Sequence, residues 1–378
     1  MSEVEVLEGN QIRASTWQIE IESGKVTQTA PNTSRILFGS SKGLKSSIER
    51  ISSDPNLPAE FISAITKDLN GFFGNRRNEG WEELWYTFKI KQVEHKRTPL
   101  LYHWDQVTAF SRWDAPSDKG ILLCLDCPQS ARESLKERWR TGNLSLLRWH
   151  VDFLEKTRDL YEDSVWSLRH CVRKSETDSK NIQDFTPDFV LLNETARHLT
   201  HSNETIDVAI DLMEGIRDVL KENSTSVEAR NADNKIRALQ MEVKALGRRS
   251  LSLYERLQNE ITLAFNIVTQ RESRVMVELG AISRKDSTNM RSIAVVGLLY
   301  LPGTFISGLF GMNFFDFDAS AEKESWRVSD KFWLYWAITI PVTALTVMIW
   351  VVFFHAKALK RIFGRLFLDE SHMDGKEC

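Results

Sequence analysis

The sequence predicts an α+β membrane protein: an N-terminal cytosolic α/β domain, a helical bundle with a very long stalk helix, and two C-terminal transmembrane helices. Three observations predict it. Residues 292–315 form an uncharged run of about 24 residues and residues 332–354 a second of about 23, each long enough as a helix to cross a hydrocarbon core of about 30 Å. Upstream of the first run, apolar residues recur at helical spacing over more than a hundred residues. Before that, strand-like and helix-like segments are interleaved, as in an α/β domain.

The N-terminal domain is expected over residues 1–144. WQIEIES from Trp17 alternates apolar and polar side chains and reads as a half-buried strand. Pro58 to Phe72 reads as a helix with Pro58 near its first turn. Glu83 to Val93 is aromatic and β-branched and reads as a strand, and Gly120 to Leu125 as a short central one. Gln129 to Arg140 is a short amphipathic helix stopped by Gly142. No dinucleotide fingerprint, phosphate-binding loop or nucleophile elbow is present, so the domain is not read as an enzyme.

A helical region is expected over residues 145–289. Asn143 is expected to cap a first helix whose apolar stripe includes Leu147, Val151, Leu154 and Tyr161. Lys174 to Asp184 reads as a loop, and Thr186 before Pro187 as the cap of a second helix ending near Leu220. A third helix starts near Val227 and has no clear stop before the membrane. Ile236, Leu239, Val243, Leu246, Leu253, Leu257 and Ile261 keep its stripe. Gly247 and Gly280 weaken it by about 1 kcal/mol each, too little to break a packed helix.

The spans with their connecting loop are expected over residues 290–356, and a basic cytosolic tail over 357–378. Arg284, Lys285 and Arg291 precede the first span, and Lys357, Lys360, Arg361 and Arg365 follow the second. The loop between them carries Asp316, Asp318, Glu322, Glu324 and Asp330. Positive charge on the outer flanks predicts both termini in the cytoplasm. The sequons at Asn32, Asn143, Asn193, Asn203 and Asn223 then stay unglycosylated. The first ten residues have no apolar core, so insertion is expected to depend on the C-terminal spans. A mean hydropathy of -0.32 fits a chain whose membrane part is the minority. A net charge of -3 argues against nucleic acid as a partner. Cys124 and Cys127 form a C-x-x-C without a second ligand pair nearby and read as packed strand residues.

The motifs then carry a resemblance. Asp286-Ser-Thr-Asn-Met290 is followed by Arg291-Ser-Ile-Ala294, then Tyr300-Leu-Pro-Gly-Thr-Phe305, and Gly311-Met312-Asn313 at the end of the first span. In content and spacing this resembles the CorA-type divalent-cation channels and transporters, most of all their fungal CorA-like branch. The resemblance implies a homopentamer in which the first span of each subunit lines a central pore. It implies Gly311, Met312 and Asn313 as the selectivity motif, and Met290, Ile293, Gly297, Leu301, Thr304 and Gly308 as pore-lining residues. It implies Mg2+ as cargo, the lipid bilayer as surroundings, the plasma membrane as location and no cofactor. Zn2+, Co2+ or Ni2+ as the ion, and a non-conducting membrane-anchored scaffold, are the alternatives. The acidic M-P-E-L-type loop of the family is missing after Asn313. Metal sensing in the cytosol has only weak candidates: Asp207, Asp211, Glu214 and Asp218 along a helix, and the pair His198 and His201.

Overall fold

A computed structural model describes residues 3–9, 11–24, 26, 34–50, 57–78, 80–96, 99–114, 119–140, 145–180, 185–222, 227–310, 315–318 and 325–370. They fall into two units, residues 1–268 and 269–378.

The first unit is built on a seven-stranded sheet. Its strands are β1 (Glu3–Glu8), β2 (Gln11–Thr16), β3 (Arg35–Gly39), β4 (Gly71–Asn78), β5 (Trp81–Glu94), β6 (Leu101–Asp114) and β7 (Lys119–Leu125). The order is β2-β1-β3-β7-β6-β5-β4, with β3 parallel to β7 and every other pair antiparallel. Alternation along β7 sorts the two faces. Ile121, Leu123 and Leu125 join Trp17, Leu44 and Phe61 on one face, where the short helices α1 (Trp17–Glu22), α2 (Ser41–Arg50) and α3 (Ala59–Ala64) lie. Leu122 and Cys124 point the other way, into the cluster containing α4 (Gln129–Arg140), α5 (Leu146–Asp178), α6 (Phe189–Glu222) and the first part of α7 (Val227–Phe310). That face is aromatic: Phe38 stacks on Trp139 at 5.8 Å, Trp139 lies 5.8 Å from Trp149, and Trp149 stacks on Phe153 at 5.5 Å. Each such buried ring contributes about 1.5–3 kcal/mol.

Charged groups also cross the sheet. Glu83 on β5 stands opposite Arg76 on β4 and Arg112 on β6. Arg112 donates to Glu83 Oε1 at 2.7 Å and Arg76 to Oε2 at 2.8 Å, and the Glu83 and Arg112 side chains are fully buried.

The strands expected at Glu83–Val93 and Gly120–Leu125 and the helix at Gln129–Arg140 are present as β5, β7 and α4. WQIEIES is a helix rather than a strand. Thr16 Oγ1 accepts from the backbone N–H of Ile19, and of the three apolar residues Trp17 and Ile21, four apart, are buried, while Ile19 is 56 % exposed. Pro58 to Phe72 is helical only over Ala59–Ala64, and Phe72 lies in β4.

Helix ends differ for local reasons. The cap of α5 is Ser145, whose Oγ accepts from the N–H of Arg148 at 3.3 Å; Asn143 lies outside the described residues. The helix α5 runs on to Asp178, into the first part of the expected loop. Glu176 accepts two bonds from Arg256 of α7, at 2.7 and 2.6 Å, and Ser179 donates to Glu260 at 2.6 Å, so tertiary partners hold the extra turns. Asp188, not Thr186, caps α6, accepting from the N–H of Leu191 at 3.0 Å. The helix α7 is continuous over 84 residues, through both Gly247 and Gly280.

The second unit holds the end of α7, a short hairpin of β8 (Phe315–Asp318) and β9 (Ser325–Val328), and α8 (Phe332–Glu370). The hairpin was not foreseen in the polar loop. Within α7 and α8 lie two stretches long and apolar enough to cross a membrane, each only 6 % buried, unlike core helices. The helix α8 continues past residue 357, into the expected tail.

Candidate pore segment

The end of α7 has two faces of different character. At about 100° per residue, Met290, Ile293, Gly297, Leu301, Thr304 and Gly308 fall within an arc of about 80°. All six are exposed, Met290, Ile293 and Leu301 by more than 70 %. Gly297 and Gly308 have open space where a Cβ would stand. The centre of this arc lies about 150° around the helix from that of Gly303 and Ile306. Ile306 is buried, and Gly303 faces Tyr335 and Thr339 of α8, with 3.7 and 3.8 Å between their side chains and an added Cβ. The stripe therefore points away from the side that packs on the second span. Thr304, at its edge, also lines the groove between α7 and α8.

That groove has a volume of about 880 Å³, with walls that include Leu299, Tyr300, Ser307, Trp336 and Ile340. Pro302 lies inside α7 here and Pro341 inside α8. Each lacks the N–H that would bond the carbonyl four residues back. Side-chain hydroxyls gather around the first of these prolines. Thr304 Oγ1 donates to the carbonyls of Tyr300 and Leu301 at 3.1 and 3.0 Å, Ser307 to that of Thr304 at 2.9 Å, and Tyr335 of α8 to that of Gly303 at 3.3 Å. In hydrocarbon such bonds substitute for water. The Tyr335 contact was not anticipated from sequence; a tyrosine in the first turn of the second apolar run is the signal that could have found it.

Gly311, Met312 and Asn313 lie outside the described residues, as do Glu322 and Glu324 of the loop.

In the first unit, Asp207, Asp211, Glu214 and Asp218 are exposed on α6, and no cluster of metal-binding side chains occurs among the described residues. His201 Nδ1 sits 2.8 Å from Lys91 Nζ. Burial, with the charge of Arg197 next, holds Lys91 down to about 8. Burial, then the Lys91 charge, pushes His198 down to about 4. The Lys91 ammonium sits against His201 and its charge reaches His198, which disfavours a metal there. Cys124 is buried in the sheet and burial pushes its thiol far up, leaving it unreactive. Sequence reasoning missed His150, which is wholly buried between Tyr86 Oη (2.8 Å from Nδ1) and Ser111 Oγ (3.2 Å from Nε2). Burial lowers it to about 3.

Comparison with known proteins follows the same lines. A family model described as CorA-like Mg2+ transporter protein matches residues 159–361. Notoamide biosynthesis cluster protein M' of Aspergillus versicolor is 33 % identical over 336 residues, covering 76 % of this chain and 72 % of that protein. The structure of full-length CmaX superposes with a TM-score of 0.51 at 15 % identity, covering 92 % of this chain and 97 % of that one, a likeness of fold. The CorA magnesium transporter from Methanocaldococcus jannaschii gives a TM-score of 0.45 at 12 % identity over 92 % of this chain and 96 % of that one, too low to carry weight. With a matching family model over half its length and a relative at this identity, the chain belongs to the CorA-like Mg2+ transporter family, a family of transporters rather than enzymes.

Proposed function

We propose that the chain forms a homopentameric channel for hydrated divalent cations, Mg2+ first, with the end of α7 from each subunit around the pore. The observation that carries this reading is the exposed stripe on α7, small or apolar and turned away from α8. A helix with one face on its own second span and a bare opposite face suits a ring of copies around an axis. Leu301 and Ile293, repeated around that axis, form apolar constrictions that gate by dewetting. Gly297 and Gly308 keep the pore wide or the helices close, and Thr304 is the polar step between them.

Asn313 presents one amide per subunit at the outer mouth. Mg2+ sheds water reluctantly, and amide oxygens bind its water shell without holding the ion as a carboxylate ring would. Gly311 lets the chain turn, and Met312 packs in the collar. Residues 292–310 contain no ionisable Asp, Glu, Lys, Arg or His, which favours a channel over proton-coupled exchange. Across about 100 mV a divalent ion gains about 4.6 kcal/mol, enough for inward flow. The basic flanks favour both termini in the cytoplasm, and the plasma membrane is the location proposed for the channel.

The test is ion flux in liposomes for the wild type beside Asn313→Ala. Mg2+ uptake by the wild type and its abolition in the variant are expected. Zn2+, Co2+ or Ni2+ flux without Mg2+ flux or competition transfers the reading to another ion. A wild type that conducts nothing leaves a membrane scaffold.

A further inference from the structure

We infer that the crevice at the carboxyl ends of β3 and β7, in the first unit, binds a phosphorylated polyol: a sugar phosphate or a nucleotide. The site is independent of the pore. Its residues all precede the segment matched by the transporter family model, residues 159–361.

The strands β3 and β7 are the parallel pair of the sheet, and the chain leaves them towards opposite faces. After β3 it enters α2, whose Leu44 packs on one face; after β7 it enters α4, whose Leu135 and Trp139 pack on the other. In open α/β sheets such a switch point leaves a space beyond the strand ends, and ligands bind there. Here that space is a crevice of about 730 Å³, with walls that include Ser41, Lys42, Lys67, Trp104, Asp105 and Asp126. It has the size of a metabolite site, and a bare phosphate would leave most of it empty.

The two loops at the crevice are tied to each other. The N–H of Asp126 donates to the Gly39 carbonyl at 2.9 Å, and Asp126 Oδ1 accepts from the N–H of Ser41 at 3.1 Å. Among the described residues Asp126 is the one non-glycine residue with a positive φ, 54°. Backbone in that region is disfavoured, persists where its surroundings fix it, and gathers at ligand sites. Amides at the start of α2 are already taken, that of Ser41 by Asp126 and that of Gly43 by Ser40 Oγ at 3.0 Å. An anion in the crevice is therefore met by side chains.

Those side chains form two sets. Lys42 and Lys67 have no ion-pair partner among the described residues, whereas Lys45 has Glu49 and Lys89 has Asp68. The Lys89 and Lys91 ammoniums lie over the Trp104 ring, 4.6 and 5.0 Å from its centre, and add positive charge beside that wall. Asp105 and Asp126 are the second set. Burial raises both, although His103 and Gln92 work against it at Asp105, and the Ser41 N–H and Lys42 at Asp126. Carboxylates partly withdrawn from water take donors such as hydroxyls. Two free ammoniums suit a phosphate dianion, and two carboxylates suit hydroxyls beside it. A metal ion fits worse: no cluster of metal-binding side chains occurs among the described residues, and the ammoniums repel a cation.

The test is isothermal titration calorimetry on the detergent-solubilised full chain in Mg2+-free buffer, with ribose 5-phosphate, AMP, inorganic phosphate and adenosine as probes. Ribose 5-phosphate or AMP should bind saturably with a Kd below about 1 mM, and about 10-fold or more tighter than phosphate or adenosine. AMP well ahead of ribose 5-phosphate identifies a nucleotide site; equal affinities identify a sugar-phosphate site. The double variant Lys42→Ala/Lys67→Ala changes two exposed side chains. It should keep the wild-type Tm and weaken the esters by about 10-fold or more. Asp126→Asn keeps an acceptor for the Ser41 N–H and tolerates the left-handed backbone; it should weaken the esters more than inorganic phosphate. No saturable binding of both esters, phosphate bound as tightly as they are, or ester affinities unchanged in either variant overturns the proposal. None of these outcomes depends on ion flux, so the channel reading stands or falls separately.

Discussion

Lowering the pH should destabilise the first unit through His150, well before its carboxylates protonate. The imidazole is fully buried and engaged at both nitrogens by Tyr86 and Ser111, and burial holds it at about 3. In the unfolded chain it titrates near its ordinary value of about 6.5. Between these two values the unfolded chain takes up a proton that the native state refuses. Stability from this group is therefore fully present above pH ~6.5 and falls by about 1.4 kcal/mol per pH unit on the way down to pH ~3. From pH 7.5 to 5 the loss is about 2 kcal/mol. The assay is thermal unfolding of the detergent-solubilised chain across that range, read by tryptophan fluorescence, since Trp149 lies edge-on to His150 at 4.7 Å. A His150→Gln variant, less stable at neutral pH, should lose this part of the slope. His198, lowered to about 4, contributes in the same direction and remains in the variant. Equal slopes in the wild type and His150→Gln would refute the reasoning.

Other outcomes follow from the same packing. Glu83→Ala removes the buried carboxylate to which both Arg112 and Arg76 donate and should destabilise the first unit by about 3–5 kcal/mol in denaturant titrations. Gly71→Ala places a Cβ 2.7 Å from Leu212, 2.8 Å from Val208 and 3.0 Å from the Thr87 carbonyl, so a loss of about 1–3 kcal/mol is expected in the same titrations. Glu155 is held down at about 2, first by its hydrogen bond from Arg138. Its contribution is present above pH ~4.5 and lost as pH falls towards 2. Solvent screening limits this to about 1 kcal/mol, and Arg138→Ala should flatten that acid limb. Gly308→Trp meets open space in the single chain and should express and fold normally, yet block flux if that face lines the pore; unchanged flux counts against the stripe.

Legibility differed by region. The long uncharged runs and the 3-4 stripe of α7 are signals summed over many residues, and single glycines did not upset them. The central strands were legible because β-branched and aromatic residues cluster there. Trp17 to Glu22 was not, because apolar residues at positions 17, 19 and 21 fit both a strand and one helical turn. The outcome turned on a threonine cap and on which of the three faces the sheet. The α5 C-terminus was hidden for another reason: its last turns are held by Arg256 and Glu260, some 80 residues away. At the candidate pore segment, the stripe follows from the family resemblance. Its orientation relative to α8 does not, because it depends on where Gly303, Tyr335 and Thr339 meet.

The parallel pairing of β3 with β7 has a consequence for synthesis. Arg35–Gly39 aligns with Ile121–Leu125, so one edge of β3 waits for a partner that leaves the ribosome more than 80 residues later. Within the up-and-down ribbon from β4 to β7 each strand pairs with its sequence neighbour, and β7 alone of the four also pairs back to β3. Until β7 arrives, the edge of β3 is an open template in a nascent chain. Slowed translation across residues 40–118 is thus where mispairing between ribosome-bound copies has its best opportunity.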